Sequence, residues 1–202
     1  MSGGTEARFA AILRSALQSA VSDDQMAALW RHYQLLETWN RVLNLTSIDD
    51  FEQTVLRHYA ESVLAAQHVP RETSSLADIG SGAGFPGFPI AVMRKEIQVT
   101  LVESSQRKAA FLRECTDLAP NLRVIICRAE STDTQFDVLT ARAVALRDVL
   151  PLIPKVAPAF VLLLGASDAQ KIIRSTQFQC EKPVEIPWSD QTVIVSGRAV
   201  VA

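Results

Sequence analysis

Apolar positions in the first third of the chain recur at helical spacing. Residues 6–20 alternate apolar and polar in this way, and Ser22 with Gln25 then has the S-x-x-Q form of a capping box, which predicts the start of a second helix. Trp30 and Trp39 follow on that helix. Aromatic residues at helical spacing are more often part of a core than base-stacking groups, so we expect both to dock onto the rest of the protein.

Asp50 is the predicted N-cap of a third helix that ends near Gln67. Its polar side carries Arg57, His58 and Glu61, and the spacing of Arg57 and Glu61 suits an i,i+4 ion pair. Arg57 and His58 are candidate substrate contacts. The alternative for His58 is a structural histidine, hydrogen-bonded or on the helix surface.

From residue 75 the pattern changes to short apolar runs that alternate with helical segments. Strands are predicted at 76–79, 97–102, 124–127, 136–140 and 160–164, with a closing antiparallel hairpin at 184–187 and 192–196. This alternation predicts an α/β fold with a doubly wound, mostly parallel sheet, right-handed crossovers and a ligand at the carboxyl ends of the strands. We divide the chain into an N-terminal helical extension, residues 1–70, and a ligand-binding domain, residues 71–202.

The glycine-rich turn after the first of these strands is the main sign of a ligand site. Gly80, Gly82 and Gly84 let the backbone turn sharply and approach a ligand without Cβ atoms in the way. A dinucleotide site requires a third glycine at the position of Phe85, whereas the spacing found here, with Asp78 before it, is typical of S-adenosylmethionine sites. A turn without any ligand is the alternative.

Polar residues follow the later strands at the edge of the sheet where a ligand would bind. Glu103 ends the second strand, about 20 residues after the first glycine, where a carboxylate accepts from a ribose diol. Ala129 and Glu130 follow the third strand, and Arg142 follows the fourth. We predict that Arg142 orients the target base, a phosphate or the cofactor carboxylate with its planar fork. The alternative is an ion pair of Arg142 with Asp137 or Asp148.

Composition limits the classes of protein that remain. The chain has 202 residues and a formal net charge of −2, which argues against a general nucleic-acid coat but leaves a specific RNA substrate open. No apolar run reaches the length of a membrane span and the N-terminus does not resemble a signal peptide, so we expect a cytoplasmic protein. The three cysteines and three histidines do not cluster, and no metal site is predicted.

Missing motifs narrow the chemistry of a methyl transfer. The fourth strand is followed neither by the Pro-Pro-aromatic turn of amino-group methylases nor by a catalytic cysteine; Thr140, Ala141 and Arg142 stand there instead. A nucleophile with a free lone pair and no proton to lose, such as guanine N7, fits this better, because it needs orientation and no general base.

Several motifs of the chain occur in one known family in the same order. They are Trp39-Asn40 with Asn44-Leu45-Thr46, Arg57-His58 with Glu61-Ser62, the ten residues Asp78–Gly87, Glu103-Ser104, Arg128-Ala129-Glu130 and Ala141-Arg142-Ala143. The chain thereby resembles the ribosomal RNA small-subunit methyltransferase G family, also called glucose-inhibited division protein B. Members commonly carry a lysine at the position of Leu164.

This resemblance implies a class I methyltransferase fold and S-adenosylmethionine-dependent methylation of guanine N7 in a 16S rRNA hairpin loop. It places Gly80, Phe85, Ala129, Glu130 and Arg142 at cofactor positions. The expected partner is 16S rRNA, in the small ribosomal subunit or its precursor, and the expected state is a monomer. A non-catalytic cofactor-sensing or RNA-binding module with the same fold is the competing hypothesis. An NAD-dependent oxidoreductase is disfavoured by Phe85.

Overall fold

The N-terminal part of the protein is helical, as its periodicity predicts. The computed structural model describes residues 2–17 and 21–200; the predicted continuation of the first helix over 18–20 lies outside the described residues. Helix α1 spans Ser2–Ala16 and helix α2 spans Asp23–Leu43. The capping box is confirmed: the Gln25 backbone N–H donates to Ser22 Oγ at 3.2 Å, and the Ser22 backbone N–H donates to Gln25 Oε1 at 2.9 Å.

The third helix contains a change of register that its sequence pattern does not show. It begins as α3 (Phe51–Thr54), continues as a π-helical segment (Val55–Ala60) and ends as α4 (Glu61–Ala66). The predicted cap is confirmed, since Asp50 Oδ1 accepts from the Gln53 backbone N–H at 2.8 Å. Because a π turn inserts one extra residue, side chains beyond it face a different direction from that expected of a regular helix.

The sheet confirms the predicted doubly wound architecture. Parallel strands β1 (Ser75–Ile79), β2 (Gln98–Val102), β3 (Leu122–Ile125), β4 (Val138–Arg142) and β5 (Ala159–Leu164) lie in the order β3-β2-β1-β4-β5. Strand β8 (Val193–Ala199) is antiparallel to β5, and its other partners are β6 (Phe178–Cys180) and β7 (Val184–Glu185). The predicted hairpin is therefore present as β7 and β8. The sequence reading missed β6, which is too short to show a periodicity.

Alternate strand residues divide the core into two layers, one on each face of the sheet. Leu76, Val161 and Leu163 pack on one face, with the apolar sides of the N-terminal helices, α5 (Gly87–Met93) and α6 (Gln106–Cys115). Ala77 and Leu162 pack on the other, with α7 (Leu146–Val149), α8 (Leu152–Val156) and α9 (Ala166–Ile173). None of the helices in the described residues is both apolar and long enough to cross a membrane.

Both tryptophans of α2 belong to the packing of the protein, as predicted. Trp30 is buried and lies 5.5 Å, ring centre to ring centre, from Phe9 of α1. Trp39 Nε1–H donates to Glu114 Oε2 of α6 at 3.0 Å. One apolar cluster thus contains side chains from both sides of residue 70.

The end of β1 and the start of α5 meet in a close contact that only glycine allows. Asp78 is fully buried, and its Oδ2 accepts from the Gly87 backbone N–H at 3.0 Å. A Cβ at position 87 would lie 2.4 Å from Leu101 Cδ2 and 2.6 Å from Asp78 Oδ2. Burial raises the pKa of Asp78 to about 7, although the bond from Gly87 opposes this shift. The buried side chain of Asp78 therefore holds the backbone at the start of α5 against the end of β1.

Candidate active site

Two cavities open at the carboxyl edge of the sheet, and Gly80 lines both. The first has a volume of about 370 Å³, and its lining includes Thr46, Ser47, Ile48, Arg57, His58, Gly80, Gly82, Phe85, Lys108, Arg142 and Ala143. The second has a volume of about 320 Å³, and its lining includes Gly80, Ser104, Cys127, Arg128, Ala129, Glu130, Val144 and Asp148. A ligand that bridges the two must pass over the glycine turn.

The glycine turn has the backbone conformation that its sequence predicts. The φ angles of Gly80, Gly82 and Gly84 are +68°, +55° and +84°, a region that side chains make costly. At Gly80 a Cβ would also lie 2.8 Å from Val144 Cγ2, whereas at Gly82 the nearest atom would be 3.7 Å away. The space above Gly82 is therefore open to a ligand.

The acidic residue after β2 holds this turn in place. Glu103 is buried; its Oε2 accepts from the Gly82 backbone N–H at 2.9 Å and its Oε1 from the Ser105 backbone N–H at 2.8 Å. Ser105 is also the N-cap of α6, since its Oγ accepts from the Lys108 backbone N–H at 3.4 Å. Each carboxylate oxygen retains a further lone pair, so the ribose contact of Glu103 stays a prediction.

A chain of polar contacts crosses the floor of the first cavity. Arg142 Nη2 lies 3.3 Å from Glu61 Oε2, and Arg142 Nη1 lies 3.1 Å from His58 Nδ1. His58 Nε2 lies 2.7 Å from Thr46 Oγ1. The His58 ring also stacks on Phe85, with centres 4.6 Å apart and planes 13° from parallel. The chain therefore joins α4, β4, the π-helical segment and the loop after α2.

The protonation of His58 follows from its neighbours. Arginine has donors only, so His58 Nδ1 accepts from Arg142 and His58 Nε2–H donates to Thr46. Burial, helped by the positive charges of Arg142 and Arg57, lowers the pKa of His58 to about 3. His58 is therefore neutral at physiological pH, and both of its ring nitrogens are occupied.

Glu61 is the buried counter-charge of Arg142. Its side chain is fully buried and that of Arg142 is 12 % exposed. Burial raises the pKa of Glu61, while the positive charge of Arg142 and the nearby side chains of Ser189 and Thr192 act against that shift. Ser189 and Thr192 lie in the segment between β7 and β8, which the sequence reading did not connect with the site.

The structure contradicts the predicted i,i+4 ion pair of Arg57 with Glu61, and it rejects the surface position of His58 and the ion pairs of Arg142 that stood as alternatives. Glu61 pairs with Arg142, and no ion pair with Arg57 occurs in the described part of the chain. His58 lies in the cavity floor and not on the helix surface. Arg142 does not pair with Asp137, which accepts four hydrogen bonds from Ser74 and Ser75, or with Asp148, which lies against Arg147.

Two side chains donate hydrogen bonds to backbone carbonyl oxygens of the π-helical segment. Ser62 Oγ–H donates to the His58 carbonyl oxygen at 2.5 Å, and Trp188 Nε1–H donates to the Leu56 carbonyl oxygen at 3.2 Å. These bonds use carbonyl oxygens along the irregular part of the helix. Serine at 62 and tryptophan at 188 therefore support the direction in which His58 points.

Two cations face the first cavity without an acidic partner. Arg57 and Lys108 both line it, and within the described residues neither lies within ion-pair distance of a carboxylate. Such cations suit an anionic ligand group such as a phosphate or carboxylate. Nearby, Ala143 has a φ of +56°, which is strained for a residue with a Cβ and typical of functional sites.

The structure sorts the predicted site residues into three groups. Gly80, Gly82, Phe85, Arg142, Arg57 and His58 line the first cavity, and Ala129 and Glu130 line the second with Gly80. Asp78, Gly84 and Glu103 line neither and support the turn from behind. The sequence reading gave no role to Thr46, Lys108 and Cys127. Thr46 belongs to the motif Asn44-Leu45-Thr46, and that motif was the one sequence signal that could have pointed to it.

Comparison with known proteins shows the family of this chain. The model of the GidB family, rRNA small subunit methyltransferase G, matches residues 25–183. A ribosomal RNA small subunit methyltransferase G from Clostridium beijerinckii is 38% identical over 170 residues, covering 77% of this chain and 71% of the relative. One from Roseiflexus castenholzii is 35% identical over 192 residues, covering 85% and 82%. The chain belongs to the GidB family.

Solved structures extend the fold to more distant methyltransferases. A magnesium protoporphyrin IX methyltransferase from Synechocystis, solved with bound S-adenosylmethionine, superposes with a TM-score of 0.58 at 11% identity, covering 90% of this chain and all of the other. The fold is that of the class I methyltransferases, as predicted, and the Synechocystis enzyme carries S-adenosylmethionine as its cofactor.

The residues of the two cavities fit that cofactor. The space above Gly82 is one that a Cβ would fill, and the second cavity beside it offers the polar and apolar lining that a nucleoside requires. Arg57 and Lys108 supply positive charge next to the turn for a carboxylate. Phe85 stands where a dinucleotide site needs glycine, which excludes the NAD fingerprint.

Gly82 in the turn and Gly87 at the start of α5 should respond differently to a side chain. In Gly82→Val the Cβ meets no protein atom closer than 3.7 Å, so we expect native far-UV circular dichroism but at least a tenfold loss of S-adenosylmethionine affinity by calorimetry. Gly87→Ala instead drives its Cβ against Leu101 and Asp78, and should lower the free energy of unfolding by about 1–3 kcal/mol. Unchanged cofactor affinity of the first variant would reject this assignment of the turn.

Proposed function

We propose that this protein transfers the methyl group of S-adenosylmethionine to N7 of a guanine in a hairpin loop of 16S rRNA. The relatives named above are small-subunit rRNA methyltransferases, which supports the RNA class of the substrate. The structural observation that supports the choice of N7 is that no described side chain in the first cavity is free to accept a proton. We also propose that the protein acts as a monomer, with residues 1–70 as a helical extension on the 71–202 domain.

The first cavity holds no group that is ready to take a proton. Among the described residues that line it there is no carboxylate. His58 is neutral, but Arg142 occupies one ring nitrogen and Thr46 the other. An amino group must lose a proton on methylation, whereas guanine N7 has a free lone pair and no proton to lose. This cavity therefore suits N7 as the nucleophile.

The residues of the cavity act by binding and orientation. S-adenosylmethionine, when bound, supplies a methyl group on a positively charged sulfur. Arg57 and Lys108 face the cavity as phosphate or carboxylate ligands, and the stacked rings of Phe85 and His58 also line it. Orientation of two reactants is worth roughly 7–11 kcal/mol of barrier, which is enough for a transfer that needs no base.

The net charge of the chain bears on the form of the substrate. With a formal charge of −2, sequence-independent attraction to phosphates is weak, and shape must contribute to recognition. Leu164, at which the family resemblance leads us to expect a lysine, is buried at the end of β5. We expect 16S rRNA folded within the small subunit or its precursor to be a better substrate than a short RNA.

The direct test is transfer of labelled methyl groups to small subunits from cells that lack the gene, compared with the naked hairpin. We expect 7-methylguanosine by nucleoside mass spectrometry, with a higher kcat/KM on the subunits. Methylation at another atom would contradict the N7 assignment, and equal kcat/KM on both substrates would contradict the proposed substrate form. Cofactor binding without any transfer would favour the non-catalytic module.

Arg142→Lys should lower kcat/KM for methyl transfer at least tenfold. Lysine keeps the charge opposite Glu61, but one ammonium group cannot reproduce the planar fork that bridges Glu61 and His58. Single-turnover transfer measures the effect, with cofactor affinity and thermal midpoint recorded beside it.

The matched control is Arg147→Lys, since the side chain of Arg147 is 86 % exposed and lines neither cavity. The control should transfer at the wild-type rate. A wild-type rate for Arg142→Lys as well would reject the role of the fork, and charge alone would then account for that position.

A further inference from the structure

Hydrogen bonds on both sides of its backbone hold Thr46 in the wall of the first cavity. Its backbone N–H donates to Asn40 Oδ1 at 2.9 Å, and its carbonyl oxygen accepts from Asn40 Nδ2 at 3.1 Å. Asn40 lies on α2, so a helix fixes this loop residue from behind. The side chain of Thr46 therefore has a defined position, unlike the long side chains of Arg57 and Lys108 that share the cavity.

The hydroxyl group of Thr46 has one remaining hydrogen-bonding role. Its oxygen accepts from His58 Nε2–H at 2.7 Å and from the Ile48 backbone N–H at 3.1 Å. A hydroxyl oxygen accepts two hydrogen bonds, so both lone pairs are in use and only the O–H proton is left. Within the described residues, the Thr46 hydroxyl makes no hydrogen bond besides the two that it accepts, so its proton has no protein acceptor.

The direction of the hydrogen bond between His58 and Thr46 is determined by Arg142. Arg142 can only donate to His58, which forces His58 to donate to Thr46. The hydroxyl of Thr46, which lines the first cavity, is thereby left as a neutral hydrogen-bond donor. If His58 had the other tautomer, the hydroxyl would donate to the ring and could offer only a lone pair.

We propose that the Thr46 hydroxyl donates a hydrogen bond to the O6 atom of the target guanine, and that this contact selects a 6-oxopurine over other purines. The inference rests on the proposed function, because O6 is the acceptor next to N7 on the same edge of guanine. Adenine presents an N6 amino donor at that position, which a donor hydroxyl disfavours. Thr46 is accordingly a specificity-determining residue, and His58 and Arg142 are positioning residues that act through it.

The experiment measures the coupling between the hydroxyl and O6. Small subunits are reconstituted with 16S rRNA that carries either guanine or 2-aminopurine at the methylated nucleotide; 2-aminopurine retains N7 and lacks O6. The wild type, Thr46→Val and Thr46→Ser are compared by kcat/KM on both substrates. Thr46→Val removes the hydroxyl at nearly constant shape, and Thr46→Ser is the control that retains it.

The wild type and Thr46→Ser should prefer guanine to 2-aminopurine, and Thr46→Val should reduce that preference about fivefold to tenfold, the worth of one hydrogen bond. An unchanged preference in Thr46→Val would overturn the contact. So would equal rates of the wild type on the two substrates, a result that needs no variant to fold. If the wild type fails to methylate unmodified subunits, the proposed function itself fails, which separates the two outcomes.

Discussion

The buried ion pair between Arg142 and Glu61 is the interaction on which the rest of the site depends. Removing one ion of such a pair costs roughly 3–5 kcal/mol, because the other charge is left buried and unpaired. The pair links α4, in the N-terminal third, to the end of β4 in the sheet. The side chains of Ser189 and Thr192, before β8, also lie near Glu61. Segments far apart in the sequence are therefore held at one point.

That pair also determines what the cavity can do chemically. It occupies the fork of Arg142 with protein groups, and it holds His58 as a neutral ring with a fixed tautomer. A histidine beside a cofactor site is often a general base, but here neither of its nitrogens is vacant. The same buried charges that make the site rigid remove its capacity to accept a proton, and they leave binding and orientation as its means of catalysis.

The sequence predicted the sheet and the glycine turn because both depend on local constraints. Apolar runs identify buried strands, and only glycine takes the φ angles found at Gly80, Gly82 and Gly84 without strain. The partners of Arg142 and Glu61 could not be predicted in this way. They depend on one inserted residue in the π-helical segment, which turns Glu61 away from Arg57 and is supported by the distant Trp188. No local pattern marks such a register change.

The tautomer of His58 is the central element of this account, and nitrogen-15 NMR of the imidazole rings measures it directly. With His32 and His68 assigned by substitution, the ring of His58 should show an Nε2–H, Nδ1-acceptor pattern that stays neutral from about pH 5 to 8, in line with a pKa lowered to about 3. An Nδ1–H tautomer, or titration near the usual histidine pKa of about 6.5, would contradict the account. The Nδ1–H tautomer would reverse the direction of the hydrogen bond between His58 and Thr46, and titration near 6.5 would make His58 available for proton transfer.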